Sequence, residues 1–126
     1  MKLRMQSNSI RLRLKRTEVE NLVKTGRVEE SIVFGGEDKA LGYALESSVT
    51  LSALRATLDE NKILVQVPAE RVEQWASGDE VGIEEFLPTH GRERLHVLIE
   101  KDFACLNGSD EQNTDTFAHP LAETKC

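Results

Sequence analysis

Residues 2–14 decide the fold class of this chain, and they read Lys2-Leu3-Arg4-Met5-Gln6-Ser7-Asn8-Ser9-Ile10-Arg11-Leu12-Arg13-Leu14. Apolar and basic residues alternate on both sides of the turn-forming stretch 6–9. A period of two is typical of a strand that buries one face. The stretch predicts either two strands joined by a hairpin turn or one long strand with a bulge.

A short helix is predicted to follow over residues 17–25. Thr17 and Glu20 stand three residues apart, which is the spacing of a capping box. Gly26 is placed to end the helix, with the basic Lys24 in its last turn.

A second helix is predicted over residues 68–76, where Val72, Trp75 and Ala76 fall on one face. The remaining alternating runs predict strands, and residues 63–67 have the composition of a central strand. No internal repeat is apparent. We therefore predict an α+β fold, with a mostly antiparallel twisted sheet or partly open barrel of about seven or eight short strands and two short helices.

The length of 126 residues fits one domain. Residues 1–106 are predicted to form a single α+β domain. Residues 107–126 are polar and are predicted to form a C-terminal loop or tail. Phe117 and Pro120 are candidates to pin this segment to the domain.

The composition predicts a reduced, cytoplasmic protein. Cys105 and Cys126 do not suggest a disulfide framework, and the basic N-terminus lacks the apolar region of a signal peptide. No apolar run approaches the roughly 20 residues of a membrane helix. The net charge is −6, yet residues 1–16 contain six basic residues and no acid.

The basic segment is the first candidate site, for an anion or a nucleic acid. Arg11, Arg13 and Lys15 are predicted to project from one strand face, which Lys2 and Arg4 could extend. The structural alternative is a solvated face paired with acidic neighbours on other strands. No aromatic residue is interleaved and the whole chain is acidic, so nucleic acid is not the expected partner.

The C-terminal segment is the second candidate, for a metal ion. Cys105, Asp115 and His119 carry ligand types that zinc accepts. Their spacing matches no recognised zinc pattern. The alternative is a buried Cys105 followed by a polar tail.

Other patterns predict no catalytic residue and no cofactor. The glycines of stretch 34–39 fit a hairpin loop, because the Walker pattern and a following long helix are absent. His90 and His96 are general-base types without an assignable nucleophile or orienting carboxylate. The segment 100–106 follows a strand directly, where sites tend to lie, but it suggests no specific chemistry.

Two motifs carry a family resemblance. Residues 2–14 followed by the Thr17 cap, and the later Glu100-Lys101-Asp102-Phe103-Ala104-Cys105-Leu106 with Phe117 and Pro120, resemble a group of small uncharacterised bacterial proteins, a domain of unknown function. The resemblance spans nearly the whole chain. It implies a bacterial, single-domain, cytoplasmic protein and carries over no catalytic residue. Such relatives tend to have Asn-Pro where this chain has His119-Pro120, so a metal role for His119 would not be general.

The sequence does not define a function, and the leading hypothesis is a non-enzymatic binding or accessory module. The expected partner is a second copy of the chain, as a homodimer, or an unknown protein, because an edge-rich sheet invites strand addition. The alternatives are a metal-binding protein that uses the C-terminal segment, and an anion or nucleic-acid binder that uses the basic strand.

Overall fold

The computed structural model of this chain describes residues 1–36, 38–102 and 117. These residues form the α+β fold that was predicted, with eight strands and two helices. In chain order the elements are β1 (Lys2–Gln6), β2 (Ser9–Leu14), α1 (Arg16–Thr25), β3 (Arg27–Val33), β4 (Ala40–Ser48), β5 (Arg55–Asp59), β6 (Lys62–Pro68), α2 (Ala69–Ser77), β7 (Gly82–Leu87) and β8 (Leu95–Lys101).

The strands are divided between two four-stranded sheets. Sheet A has the order β1-β2-β8-β7, and sheet B has the order β3-β4-β6-β5. The central pairs β2–β8 and β4–β6 are parallel, and the other four pairs are antiparallel. Neither sheet closes into a barrel within the described residues. Two sheets arise because each helix carries the chain from one sheet to the other, which strand periodicity cannot reveal.

The opening stretch forms a hairpin rather than one long strand. β1 and β2 pair antiparallel around Ser7 and Asn8. Ser7 has a φ of 50°, the left-handed conformation that such tight turns require. The backbone N–H of His96 donates to the Asn8 carbonyl at 3.0 Å, which ties the turn to β8.

Helix α1 begins at Arg16, one residue before the predicted start, and its N-cap is Lys15 rather than the predicted Thr17. The Glu18 Oε1 atom, rather than Glu20, accepts the backbone N–H of Lys15 at 2.9 Å. Glu18 is held there by the N-terminal ammonium of Met1, a contact that local sequence does not indicate. The predicted end of the helix is confirmed, since Gly26 has a φ of 84° and donates to the Leu22 carbonyl at 2.9 Å.

Both sheets and both helices share one apolar core. Leu12, Leu45 and Trp75 are fully buried in it, and they come from sheet A, sheet B and α2 respectively. The Trp75 indole N–H donates to the Val81 carbonyl at 3.3 Å, so its polar atom is satisfied despite its burial. Within the described residues, no helix is long and apolar enough to cross a membrane.

Residues 49–53 alternate between apolar and polar side chains, a pattern that predicts a strand, but they form part of the connection between β4 and β5. Val49 is 90% exposed there. The pairing of β4 with β6 ends at Ser48, so residues 49–53 are paired in neither sheet.

The chain also contains an internal repeat that the sequence did not reveal. The order β1-β2-α1-β3-β4 recurs as β5-β6-α2-β7-β8. When each strand of sheet A is replaced by its counterpart, the order β1-β2-β8-β7 becomes β5-β6-β4-β3, which is the order of sheet B read from its other edge. Ile10 and Ile63 are counterparts 53 positions apart, and Val19 and Val72 keep the same offset. Few other identities remain, because burial preserves apolar periodicity rather than residue identity.

Candidate functional site

The outer face of sheet A, which points away from the core, is the candidate site. Its side chains form three rows across β1, β2, β8 and β7. The rows are Lys2-Arg13-Glu100-Gly82, Arg4-Arg11-Leu98-Glu84 and Gln6-Ser9-His96-Phe86. The alternate residues of the central strands β2 and β8, such as Leu12 and Ile99, are buried in the core.

Two pairs of like charges oppose each other on this face. Arg4 lies directly across from Arg11, and Lys2 lies across from Arg13. Like charges at such positions repel each other, so they destabilise the hairpin unless an anion lies near them. The expectation that Lys2 and Arg4 extend the basic face therefore agrees with the register.

Carboxylates neutralise only part of this charge. The Glu100 Oε1 atom lies 3.1 Å from Arg11 Nε and 3.6 Å from Arg13 Nη2. Lys2 Nζ lies 3.4 Å from Asp102 Oδ2. Arg4 forms no salt bridge with any residue that the structure describes. The face thus combines the predicted acidic pairing of Arg11 and Arg13 with one exposed guanidinium that pairs with none of the described carboxylates.

Lys15 does not continue this row. β2 ends at Leu14, and Lys15 is the N-cap residue of α1. The predicted set of Arg11, Arg13 and Lys15 is therefore only partly brought together.

An aromatic pair borders the basic rows. The rings of Phe86 and His96 stack with centroids 4.5 Å apart and planes 9° apart. The Nε2 atom of His96 lies 2.7 Å from Glu84 Oε2. Phe86 is 56% exposed. The sequence does not indicate this pair, because Phe86 and His96 lie on β7 and β8, far along the chain from the arginines. The pair comes to lie beside the arginines because β8 is paired with both β2 and β7.

A slot of about 180 Å³ lies between the aromatic pair and strand β1. Its lining residues are Arg4, Gln6, Ser9, Ile10, Arg11, His96 and Leu98. The small side chain of Ser9 separates Gln6 from His96 in the third row, which leaves room above β2. The Ser9 hydroxyl donates to the Gln6 carbonyl at 2.6 Å, so His96 does not hold it as a nucleophile.

On the outer face of sheet B, two carboxylates are paired with neighbouring side chains of the same sheet. Glu46 accepts hydrogen bonds from Arg27 at 2.6 Å and from Gln66 at 2.9 Å. Glu29 accepts from Lys62 at 2.6 Å and from Arg27 at 2.8 Å.

These contacts shift the pKa values of the groups in the sheet B network. The hydrogen bond from Gln66, followed by that from Arg27, holds the pKa of Glu46 below its ordinary value. Lys62 and Arg27 lower the pKa of Glu29, and the hydrogen bond to Glu29 raises the pKa of Arg27.

The internal repeat allows the two outer faces to be compared position by position. The counterparts differ where the slot is formed: Arg4 and Thr57, Arg11 and Leu64, His96 and Gly42, Phe86 and Ser31. The same backbone arrangement therefore forms in sheet B without these charged and aromatic side chains. Their presence in sheet A is not required by the fold.

The segment after β8 contains a buried cation. Lys101 is 6% exposed, and its Nζ donates to the Gly78 carbonyl at 2.9 Å. The ammonium also lies 6.0 Å from the Trp75 ring centre and 5.4 Å from that of Phe117. Burial lowers the pKa of Lys101. The backbone N–H of Phe117 donates to the Asp102 carbonyl at 2.8 Å, so these contacts join Phe117 to the end of sheet A.

The predicted metal ligands Cys105, Asp115 and His119 lie outside the described residues. Among residues 1–36, 38–102 and 117, no group of three or more His, Cys, Asp or Glu side chains could hold a metal ion. His90 lies in the exposed connection between β7 and β8 and does not line the slot.

Comparison with known proteins identifies a family but no activity. The model of a family of unknown function (DUF7009) matches residues 1–121 of the chain. No curated protein and no solved structure matches the chain. The resemblance to an uncharacterised family is thereby confirmed.

Proposed function

We propose that this chain, which belongs to the family of unknown function DUF7009, is a non-enzymatic binding module for a phosphate-bearing ligand. The binding surface is the outer face of sheet A. The observation that carries the proposal is Arg4, which lies opposite Arg11 on the same slot and has no salt bridge with a described residue.

A bound phosphate would remove the repulsion between these two guanidinium groups. Guanidinium donates in a fork that matches two oxygens of a phosphate, and such charge-assisted hydrogen bonds are stronger than neutral ones. The ligand would therefore stabilise a feature that costs stability in the free protein. Sheet B supports this interpretation, because no two like charges lie directly opposite each other on its described outer face.

The surroundings of His96 favour binding over catalysis. Its Nε2 atom is engaged by Glu84, and one ring face is covered by Phe86. Nucleophilic catalysis needs a hydroxyl or thiol within hydrogen-bond reach of the base. The residue paired with His96 on β2 is Ser9, and its hydroxyl donates to the Gln6 carbonyl instead.

The test measures binding of short-chain inorganic polyphosphate to the full chain by isothermal titration calorimetry at several salt concentrations. Binding should weaken as salt rises, because contacts to phosphate displace counterions. Arg4→Ala should weaken binding and reduce the log–log salt slope by about 1. Arg71→Ala, an exposed arginine of α2, is the matched control. Equal binding by both variants, or no dependence on salt, would contradict the proposal.

The edge strand β3 supports a second proposal, self-association. Val33 is 70% exposed and Phe34 is 75% exposed at its end. β3 is an edge of sheet B, and with seven residues it is the longest edge strand of the two sheets. The strand contains no proline and its C-terminal end is apolar and exposed, so this end of the edge is a template for pairing with another strand.

A second copy of β3 complements this edge. An antiparallel pair centred on Ser31 places Phe34 opposite Val28. The same register places Val33 opposite Glu29, so no two carboxylates face each other. Glu29 is already paired with Arg27 and Lys62, which limits its repulsion of the partner.

A further inference from the structure

We infer that the ligand of the sheet A face carries a nucleobase beside its phosphate, and that the base enters the slot against His96. This inference rests on the proposed anion-binding function. It adds the aromatic part of the ligand, for which the arginines alone give no reason. The absence of interleaved aromatic residues in the basic segment had argued against stacking, but the sheet supplies the aromatic wall from other strands.

The first step is the position of the His96 ring. His96 lines the slot, whereas Phe86, which stacks on it, does not. One ring face is therefore covered by Phe86, and the opposite side borders the slot. A base that stacks there would extend an existing pair of rings by one layer.

The second step is the fixed orientation of that ring. Glu84 holds the Nε2 atom at 2.7 Å, and Phe86 holds the ring plane to within 9° of its own. A stacking surface that is already oriented loses little conformational entropy when the ligand binds. Gly42, the counterpart of His96 in sheet B, shows that the strand needs no side chain at this position.

Strand β1 forms the wall of the slot opposite His96, and it carries polar side chains. Arg4 and Gln6 border the slot from β1. A guanidinium beside the slot is placed to meet the phosphate of a nucleotide whose base lies against His96. The Gln6 amide offers both a donor and an acceptor, which suits the polar edge of a base.

The extent of the basic surface favours a single-stranded nucleic acid over a free nucleotide. The basic surface continues past the slot to Lys2 and Arg13, one row further along β1 and β2. Two residues of strand span about 6.6 Å, so this row lies beyond the reach of a single phosphate held at Arg4. The geometry therefore points to a single-stranded nucleic acid, in which one base fills the slot and neighbouring phosphates follow the row.

The experiment compares three probes on the full chain by fluorescence anisotropy or competition at low salt. The probes are a short oligothymidine, an abasic oligomer of the same number of phosphates, and thymidine monophosphate. The oligothymidine should bind about tenfold more tightly than the abasic oligomer, which is the scale of one stacked base. It should also bind more tightly than the mononucleotide.

Two variants assign the effect to the slot. His96→Ala should abolish the preference for oligothymidine over the abasic oligomer, so that the two probes bind this variant equally. His90→Ala, an exposed loop histidine, is the control and should keep the full preference. Circular dichroism of each variant confirms that it is folded.

The outcomes separate the two proposals. Equal binding of oligothymidine and abasic oligomer, with both weakened by Arg4→Ala, overturns the nucleobase inference and leaves the anion site intact. Binding of none of the probes overturns the proposed function as well. A mononucleotide that binds as tightly as the oligothymidine overturns the proposal that the ligand is a single-stranded nucleic acid.

Discussion

His96 of β8 and Gly42 of β4 occupy the same position in the two halves of this fold. His96 is the parallel partner of Ser9 at the start of β2, and Gly42 is the parallel partner of Lys62 at the start of β6. One half places an imidazole on its outer face and the other places no side chain. The scaffold therefore tolerates wide changes on this surface, and the slot can be altered without losing the fold.

Replacing Arg4 by the residue of its counterpart should stabilise the free protein. Arg4→Thr copies Thr57 and removes the like-charge pair with Arg11. We expect the free energy of unfolding to rise by about 0.2–1 kcal/mol, measured by urea denaturation at low salt. Arg55→Thr, on an exposed edge position of β5, is the control. A loss of stability in Arg4→Thr would show that Arg4 has a structural role.

Removing the competing carboxylate should strengthen the binding of an anion. Glu100 Oε1 lies within salt-bridge distance of both Arg11 and Arg13. Glu100→Gln frees their guanidinium groups, and polyphosphate should bind up to about fivefold more tightly, the scale of one surface ion pair. Glu93→Gln, in the exposed loop before β8, provides the comparison in the same titration. Weaker binding by Glu100→Gln would argue that Glu100 orients the arginines for the ligand.

The carboxylate network on sheet B should make stability fall in acid. The folded-state pKa of Glu46 lies below 4.5, its ordinary value. Its contribution is therefore fully present above pH 4.5 and is lost as the pH falls through the folded value. Glu46→Gln should make the free energy of unfolding less dependent on pH below 4.5, as measured by urea titrations at a series of pH values. An unchanged acid limb would rule out Glu46 as a source of that dependence.

Self-association through β3 should respond to charge at its exposed end. Val33→Glu places a carboxylate directly opposite Glu29 of the second copy, and it should weaken dimer formation by about tenfold or more. Val49→Glu changes another exposed valine, outside the strands, and should leave association unchanged. Analytical ultracentrifugation over a range of concentrations measures both. A wild-type chain that stays monomeric throughout would refute the β3 dimer.

The end of α1 should depend on glycine. Gly26 has a φ of 84°, and a side chain there meets no close contact, so the cost of Gly26→Ala is conformational. We expect a loss of about 1–2 kcal/mol in the free energy of unfolding. Gly91→Ala, in a loop with ordinary spacing to its neighbours, should change stability by less than about 0.5 kcal/mol. Similar losses in both variants would contradict this assignment.

Local patterns were sufficient to predict most elements of this chain. Alternation identified β1 and β2 and the buried positions such as Leu12, and helical spacing identified the face of α2 that carries Trp75. Gly26 indicated the end of α1, because a helix often ends at a residue in the left-handed conformation, and glycine adopts that conformation without strain. The spacing of apolar residues over about ten positions shows which face of a helix or strand is buried, because apolar residues recur on the buried face.

Local patterns failed wherever a distant residue decided the outcome. The N-cap of α1 is Lys15, so Glu18 takes the N3 position and also contacts the Met1 ammonium. Residues 49–53 alternate like a strand but are paired in neither sheet. The internal repeat was also missed, because its two halves share a register and few residue identities.

Local patterns specify the α+β class, most of the strands, both helices and the basic character of the first hairpin. The division of the strands between two sheets and the position of His96 beside Ser9 depend on the tertiary structure. So does the stacking of Phe86 on His96, which lines the slot together with Arg4. The physical reason is that strand pairing joins backbones across long sequence separations. An alternating pattern specifies which face of a strand is buried, but it carries no information about which strand will be its neighbour.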